Sequence, residues 1–206
     1  MWLAFNRYAV VASIVFSACL VAGCQSAMST SPSIPSSASA NPMNLAPVEW
    51  PLRFKRHNFG ARCYDTLECK VLYDNFDHGT DKPTPSSADR GPDYLKGWNG
   101  SYGGIDNFPN PAKVIWRSKV GIAHEAEIDI GEIFRDELIR HNVSRKEMTD
   151  QPDGKYASNP SILLEVNDRT IRIYMSAFVP TKREQNPGNK YSRFRDDVIL
   201  VKTYTY

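Results

Sequence analysis

Beyond residue 50 the chain runs in short stretches that either alternate apolar with polar positions or are rich in β-branched and aromatic side chains. They are Pro51–Asn58, Lys70–Tyr73, Lys113–Ser118, His124–Ile128, Ile162–Val166, Ile171–Val179 and Val198–Tyr204, each bounded by Gly, Pro or Asn. A period of two with such boundaries predicts strands. In Ile171–Val179 the side chains of Ile171, Ile173, Met175, Ala177 and Val179 fall on one face, with Arg172, Tyr174 and Ser176 opposite. Asn167 to Thr170 separates two such runs and reads as a hairpin turn. A helical pattern follows Asp129, which can cap an N-terminus, with Glu132 three residues on and Ile130, Ile133, Phe134 and Leu138 along one side. Short strands at this spacing with one short helix predict a mainly β (α+β) domain, an antiparallel β-sandwich, Ig-like or transthyretin-like in general shape.

Phe76 to Asn110 breaks the pattern. It holds six of the 12 glycines together with Pro83, Pro85, Pro92 and Pro109, and reads as a long irregular loop whose polar part, Thr80 to Arg90, is mobile. Within it, Trp98, Asn99 and Tyr102 sit among glycines that allow close backbone approach, with Asp106 just beyond. Two readings stand: rings that anchor a partner, or rings that cover the edge of the sandwich. A second segment, Lys182 to Arg195, is a basic, aromatic loop holding Asn186, Lys190 and Tyr191, read either as part of a partner surface or as a solvated turn near envelope anions.

The first 47 residues belong to a different regime. Arg7 is followed by an apolar run from Ala9 to Ala22, the form of a signal peptide over 1–23. Leu20-Val21-Ala22-Gly23-Cys24 resembles the bacterial lipobox, which implies cleavage before Cys24 and acylation of its sulfur; the alternative is an ordinary cleavage site before a Cys. Residues 25–47 are small and polar, carry no charge and show no periodicity, so 24–47 reads as a flexible tether and 48–206 as a single β-rich domain. With the leader and Cys24 set aside, Cys63 and Cys69 remain. In an oxidising compartment they are expected to form a disulfide, the alternative being two free buried thiols.

Charge and motifs narrow the function classes. Lys plus Arg number 25 against 23 Asp plus Glu, too balanced a field for nucleic acid. Neither a Gly-x-Ser-x-Gly elbow nor a His-Glu-x-x-His helix occurs, so no catalytic residue, metal, cofactor or small-molecule substrate is expected. His124-Glu125-Ala126-Glu127 reads as a half-buried histidine beside a solvated acidic stripe rather than as a metal cluster.

The chain as a whole, from about residue 50 to 206, resembles one family. The residues that carry the likeness are the lipobox and tether, His57-Asn58-Phe59-Gly60-Ala61-Arg62-Cys63-Tyr64, Trp98-Asn99-Gly100 through Phe108-Pro109, Leu164-Glu165-Val166-Asn167-Asp168-Arg169-Thr170 and Pro187-Gly188-Asn189-Lys190-Tyr191. It is similar to the proteobacterial lipoproteins encoded beside type VI secretion phospholipase effectors, which act as their immunity proteins. The resemblance implies a non-enzymatic, periplasm-facing lipoprotein, anchored to the outer membrane, that binds and neutralises a cognate phospholipase effector. The competing class is an envelope binding or assembly lipoprotein that recognises a glycan or a secretion component.

Overall fold

A computed structural model describes residues 44–206. The expected signal peptide over 1–23, the acylated Cys24 and the tether as far as residue 43 lie outside the described residues. The strands are β1 (Leu45–Ala46), β2 (Arg56–Tyr64), β3 (Thr66–Tyr73), β4 (Phe76–Asp77), β5 (Tyr102–Asp106), β6 (Ala112–Ser118), β7 (Ala123–Ile128), β8 (Gln151–Pro152), β9 (Ser161–Asn167), β10 (Thr170–Ser176), β11 (Val179–Pro180), β12 (Phe194–Arg195) and β13 (Val198–Thr205). One α-helical turn, α1 (Ile130–Ile133), follows β7. Strand occupies 44% and helix 7% of the described residues, and the fold is mainly β, as the pattern predicts.

Two sheets face each other. One has the order β13-β10-β9-β2-β5 and the other β4-β3-β6-β7, while β1 with β8 and β11 with β12 form two small ladders. Every pairing is antiparallel except that of β2 with β9, which runs parallel from Asn58 opposite Ser161 to Tyr64 opposite Asn167. The sandwich is otherwise antiparallel, as the strand pattern predicts. The cause of the parallel match is the turn after β2: Asp65 alone, at φ 51°, separates β2 from β3 and sends the chain into the other sheet. No hairpin partner for β2 is then left beside it in sequence, and a strand that returns after a long crossover can pair in parallel.

The core fills the space between the sheets. Phe59, Ile162, Leu164, Val166, Ile171, Ile173 and Met175 from the first sheet meet Cys69, Val71, Tyr73, Val114, Trp116 and Ile128 from the second. Cys63 on β2 and Cys69 on β3 are joined by a disulfide, with Cα atoms 6.4 Å apart, so the expected pair staples the two sheets at their shared corner. The outer face of the five-stranded sheet is covered as well: Leu163 and Tyr174 pack under Trp98 and Leu95. This explains why Ser161–Val166 is buried at every position. The outer face of β3, β6 and β7 instead shows Leu72, Ile115, Lys70 and Lys113 to solvent.

Local expectations and observed elements differ in five places. Pro51–Asn58 is extended but splits: Leu52 and Phe54 pair with Glu137–Ile139, and the sheet strand begins only at Arg56. Thr80–Arg90 was expected to move freely, yet it runs along the edge of β3, where Thr80 exchanges backbone hydrogen bonds with Cys69 at 2.8 and 2.6 Å and Ser86 Oγ donates to Asp65. Gly79 permits this approach, because a Cβ there would lie 2.1 Å from the Cys69 carbonyl oxygen. Ile171–Val179 breaks after Ser176, and Val179 joins the separate ladder with β12 while staying buried. Leu45 and Ala46, read as tether, pair with Pro152 and Gln151. Asp129 caps α1 as expected, its side chain accepting from the Glu132 amide at 2.8 Å; Ile139 rather than Leu138 continues the buried side, because the helix ends at Ile133 and the chain turns before Glu137, at φ 53°, sends it on toward Leu52.

Candidate functional site

The edges of the two sheets meet where β4 lies beside β5. Asp74 and Asn75, both at positive φ, make a two-residue turn that places Phe76 opposite Tyr73. Tyr102 opens β5 and sits opposite Phe59. The Phe76 and Tyr102 rings stack at 5.1 Å with 16° between planes, and the His78 ring packs edge-on against both and against Phe59 below. Phe76 remains 49% exposed and Tyr102 is half-buried, so the stack presents an aromatic surface while its base joins the core. Burial holds the His78 imidazole below its ordinary pKa.

Polar groups flank this corner. Asp106 at the end of β5 pairs with Arg56 Nε at 3.0 Å, and Arg56 also donates to the Gly104 carbonyl. Asn99 is exposed in the loop that precedes β5. Gly100 brings the preceding loop against β2, since a Cβ there would meet the Phe59 amide nitrogen at 2.8 Å. Rings ringed by polar groups can recognise a partner surface.

Trp98 is elsewhere. Its ring is 3% exposed and packs on Tyr174, with the Arg62 guanidinium 4.7 Å above it. The expectation that it serves as an exposed partner anchor is corrected to the covering role, because the outer face of β9 and β10 carries apolar area that only this loop can shield. Beneath the same loop lies Glu165, wholly buried. Its carboxylate accepts from Tyr174 Oη at 2.7 Å, Tyr94 Oη at 3.1 Å and Asn167 Nδ2 at 2.9 Å, with Arg172 Nη1 3.6 Å away. Burial and the adjacent carboxylate raise the pKa of both tyrosines. Three donors from the loop and the sheet converge on both carboxylate oxygens, so this network fastens the loop to the sheet.

A second buried polar group is His57. Asn107 Nδ2 donates to the Phe54 carbonyl at 3.0 Å, which turns Asn107 Oδ1 toward His57 Nδ1 at 2.8 Å. Nδ1 therefore carries the proton, and Nε2 accepts from Tyr73 Oη at 3.0 Å. Burial lowers the pKa of this histidine, against the opposing pull of the Asn107 hydrogen bond. His124 stacks on Trp116 at 4.9 Å, and Glu125 beside it pairs with Lys113 at 2.8 Å.

Asn186, Lys190 and Tyr191 form a separate exposed loop between β11 and β12. Among the described residues no hydrogen bond, ion pair or ring contact joins them to Asn99, Tyr102 or Asp106. The expected surface is thus two patches. Sequence reasoning missed Phe76, although Asp74-Asn75 between two aromatics is a hairpin signal. A scan against protein-family models, a search of curated proteins and a search of solved structures each found no match for this chain.

Proposed function

We propose that the domain is a stoichiometric recognition protein that binds and neutralises a type VI secretion phospholipase effector from the periplasmic side, held at the outer membrane through Cys24. The single observation that carries the recognition reading is the Phe76–Tyr102 stack: a large, half-exposed aromatic surface built on two strand edges, with Asp106 of the Arg56–Asp106 pair on the same strand as Tyr102. Rigid aromatic area within a polar rim is the composition of binding hot spots. The buried histidine and glutamate support the same reading, because their polar atoms are engaged in holding the fold together. The identity of the partner comes from the resemblance of the sequence to the immunity lipoproteins.

The test is competition between sister strains. Cells lacking the protein are expected to be lysed by neighbours delivering the cognate phospholipase. The exported chain restores growth, whereas a chain kept in the cytoplasm does not, because toxin and inhibitor then lie on opposite sides of the inner membrane. Unchanged survival of the deletion strain, with the effector shown to be active, overturns the proposal in favour of an envelope-binding role.

A further inference from the structure

The segment from Lys182 to Arg195 carries five cationic side chains and one carboxylate, a net charge of +4 in a chain whose total is +2. The rest of the chain therefore sums to −2, and positive charge is concentrated in one loop. The fold adds to that concentration. Val179 opposite Arg195 and Pro180 opposite Phe194 clamp the base of the loop, and the Lys182 amide donates to the Glu147 carbonyl at 2.8 Å, which brings the turn bearing Lys146 alongside. Arg193 pairs with Glu184 at 3.2 Å and Arg195 with Asp197 at 2.6 Å. Lys146, Lys182, Arg183 and Lys190 make no ion pair among the described residues. Three of these four, Lys146, Lys182 and Arg183, line an open cleft of about 510 Å³ together with Arg195 and the carboxylates of Glu147 and Glu184.

The loop is built to hold its shape. The Gln185 amide donates to the Ser192 carbonyl, and the Asn186 amide to Ser192 Oγ, each at 2.9 Å; Asn189 Oδ1 accepts from the Tyr191 amide at 3.0 Å. Tyr191 is therefore held outward at the tip, 77% exposed, with Lys190 Nζ 5.2 Å from its ring centre. Near the base Phe178, also exposed, stacks on Phe194 at 4.4 Å.

Cations that outnumber the carboxylates beside them repel one another, an arrangement that becomes favourable once an anionic surface faces them. Long exposed Lys and Arg side chains around a projecting tyrosine match a plane of phosphates, with the ring at headgroup depth. A protein epitope would favour a desolvated anchor pocket, and the tip residue here projects rather than sits in one. We propose that this face docks onto anionic phospholipid headgroups, with phosphates against Lys146, Lys182, Arg183 and Lys190 and the Tyr191 ring at the lipid interface. Such docking is independent of the inhibitory role, since it uses a patch with no contact to the Phe76–Tyr102 corner.

The experiment uses full-length protein with vesicles of phosphatidylcholine alone or phosphatidylcholine doped with phosphatidylglycerol. Affinity is read by co-sedimentation, and amide hydrogen exchange is followed over 178–195. The expected result is at least about tenfold tighter binding to the anionic vesicles, taking about fivefold per cation as the ceiling. Slower exchange confined to this loop should accompany it, and raised salt should abolish both effects. The combined substitution Lys182→Gln, Arg183→Gln and Lys190→Gln should erase the anionic preference while leaving exchange across β9 and β10 unchanged. Equal affinity for the two vesicles, or a preference that survives the substitutions, overturns the proposal. Protection of the loop on adding a cognate phospholipase but with neither vesicle also overturns it, assigning the face to a protein partner.

Discussion

Tyr73 Oη on β3 donates to Nε2 of His57 on β2 across the interior between the two sheets, at 3.0 Å. The bond exists only while that nitrogen is unprotonated, and burial depresses the pKa of the ring below its ordinary 6.5. The unfolded chain then binds more protons than the native one as pH falls below about 6.5, so stability is full above that pH and is lost toward the lowered native value. Burial shifts His78 and His141 in the same direction. Melting temperature should therefore drop by several degrees between pH 7 and pH 5, and His57→Gln should flatten that slope while lowering stability at pH 7. Thermal unfolding followed by circular dichroism across this range decides it, a pH-independent midpoint being the contrary result.

Reduction of Cys63–Cys69 should destabilise without unfolding. The bridge closes a loop of only six residues' separation, for which chain entropy gives about 2 kcal/mol. Non-reduced peptide mapping should find the two cysteines linked, and denaturant titration with and without reductant should show a midpoint shift of that size. Alkylation of both thiols without prior reduction would reject the bridge.

Trp98 and the corner residues should separate in their effects. Trp98→Ala removes a buried ring from the cover of β9 and β10 and should cost about 3 kcal/mol of stability. Phe76→Ser and Tyr102→Ala should instead weaken binding of a purified partner phospholipase by more than about 1 kcal/mol each, with smaller losses of stability. Calorimetric binding beside thermal melts for all three variants reads the two effects apart. Full affinity in both corner variants would move the interface elsewhere.

Glu165→Ala should unfasten the loop above it. Tyr94, Tyr174 and Asn167 would lose their shared acceptor and Arg172 its buried counter-charge, at about 3 kcal/mol. Hydrogen exchange should accelerate over residues 90–100 well before the β9–β10 hairpin is affected. Exchange that rises uniformly over the domain would mean that the loop and the sheet unfold as one unit.

The sequence by itself determined what depends on neighbours along the chain. Period-two patterning marked β6, β7, β9 and β13 to within a residue or two, Asp168 at φ 50° makes the turn expected between Asn167 and Thr170, and Asp129 caps the turn it precedes. These follow from side-chain direction, turn chemistry and backbone valence, all set over a few residues. Tertiary structure alone decided which strand lies beside which and which aromatic reaches solvent. The parallel match of β2 with β9 joins residues about a hundred positions apart, and Tyr102-Gly103-Gly104 reads as part of a long irregular loop until Asn58 and Arg56 supply the strand it completes. Trp98 and Tyr102 look alike in sequence, two rings among glycines; one is buried and the other is half-exposed because the face over β9 and β10 had apolar area left to cover, while the edge at β5 meets the exposed Phe76 ring and the His78 ring instead. Apolar area left uncovered is a property of assembled sheets, and no local run of residues carries it.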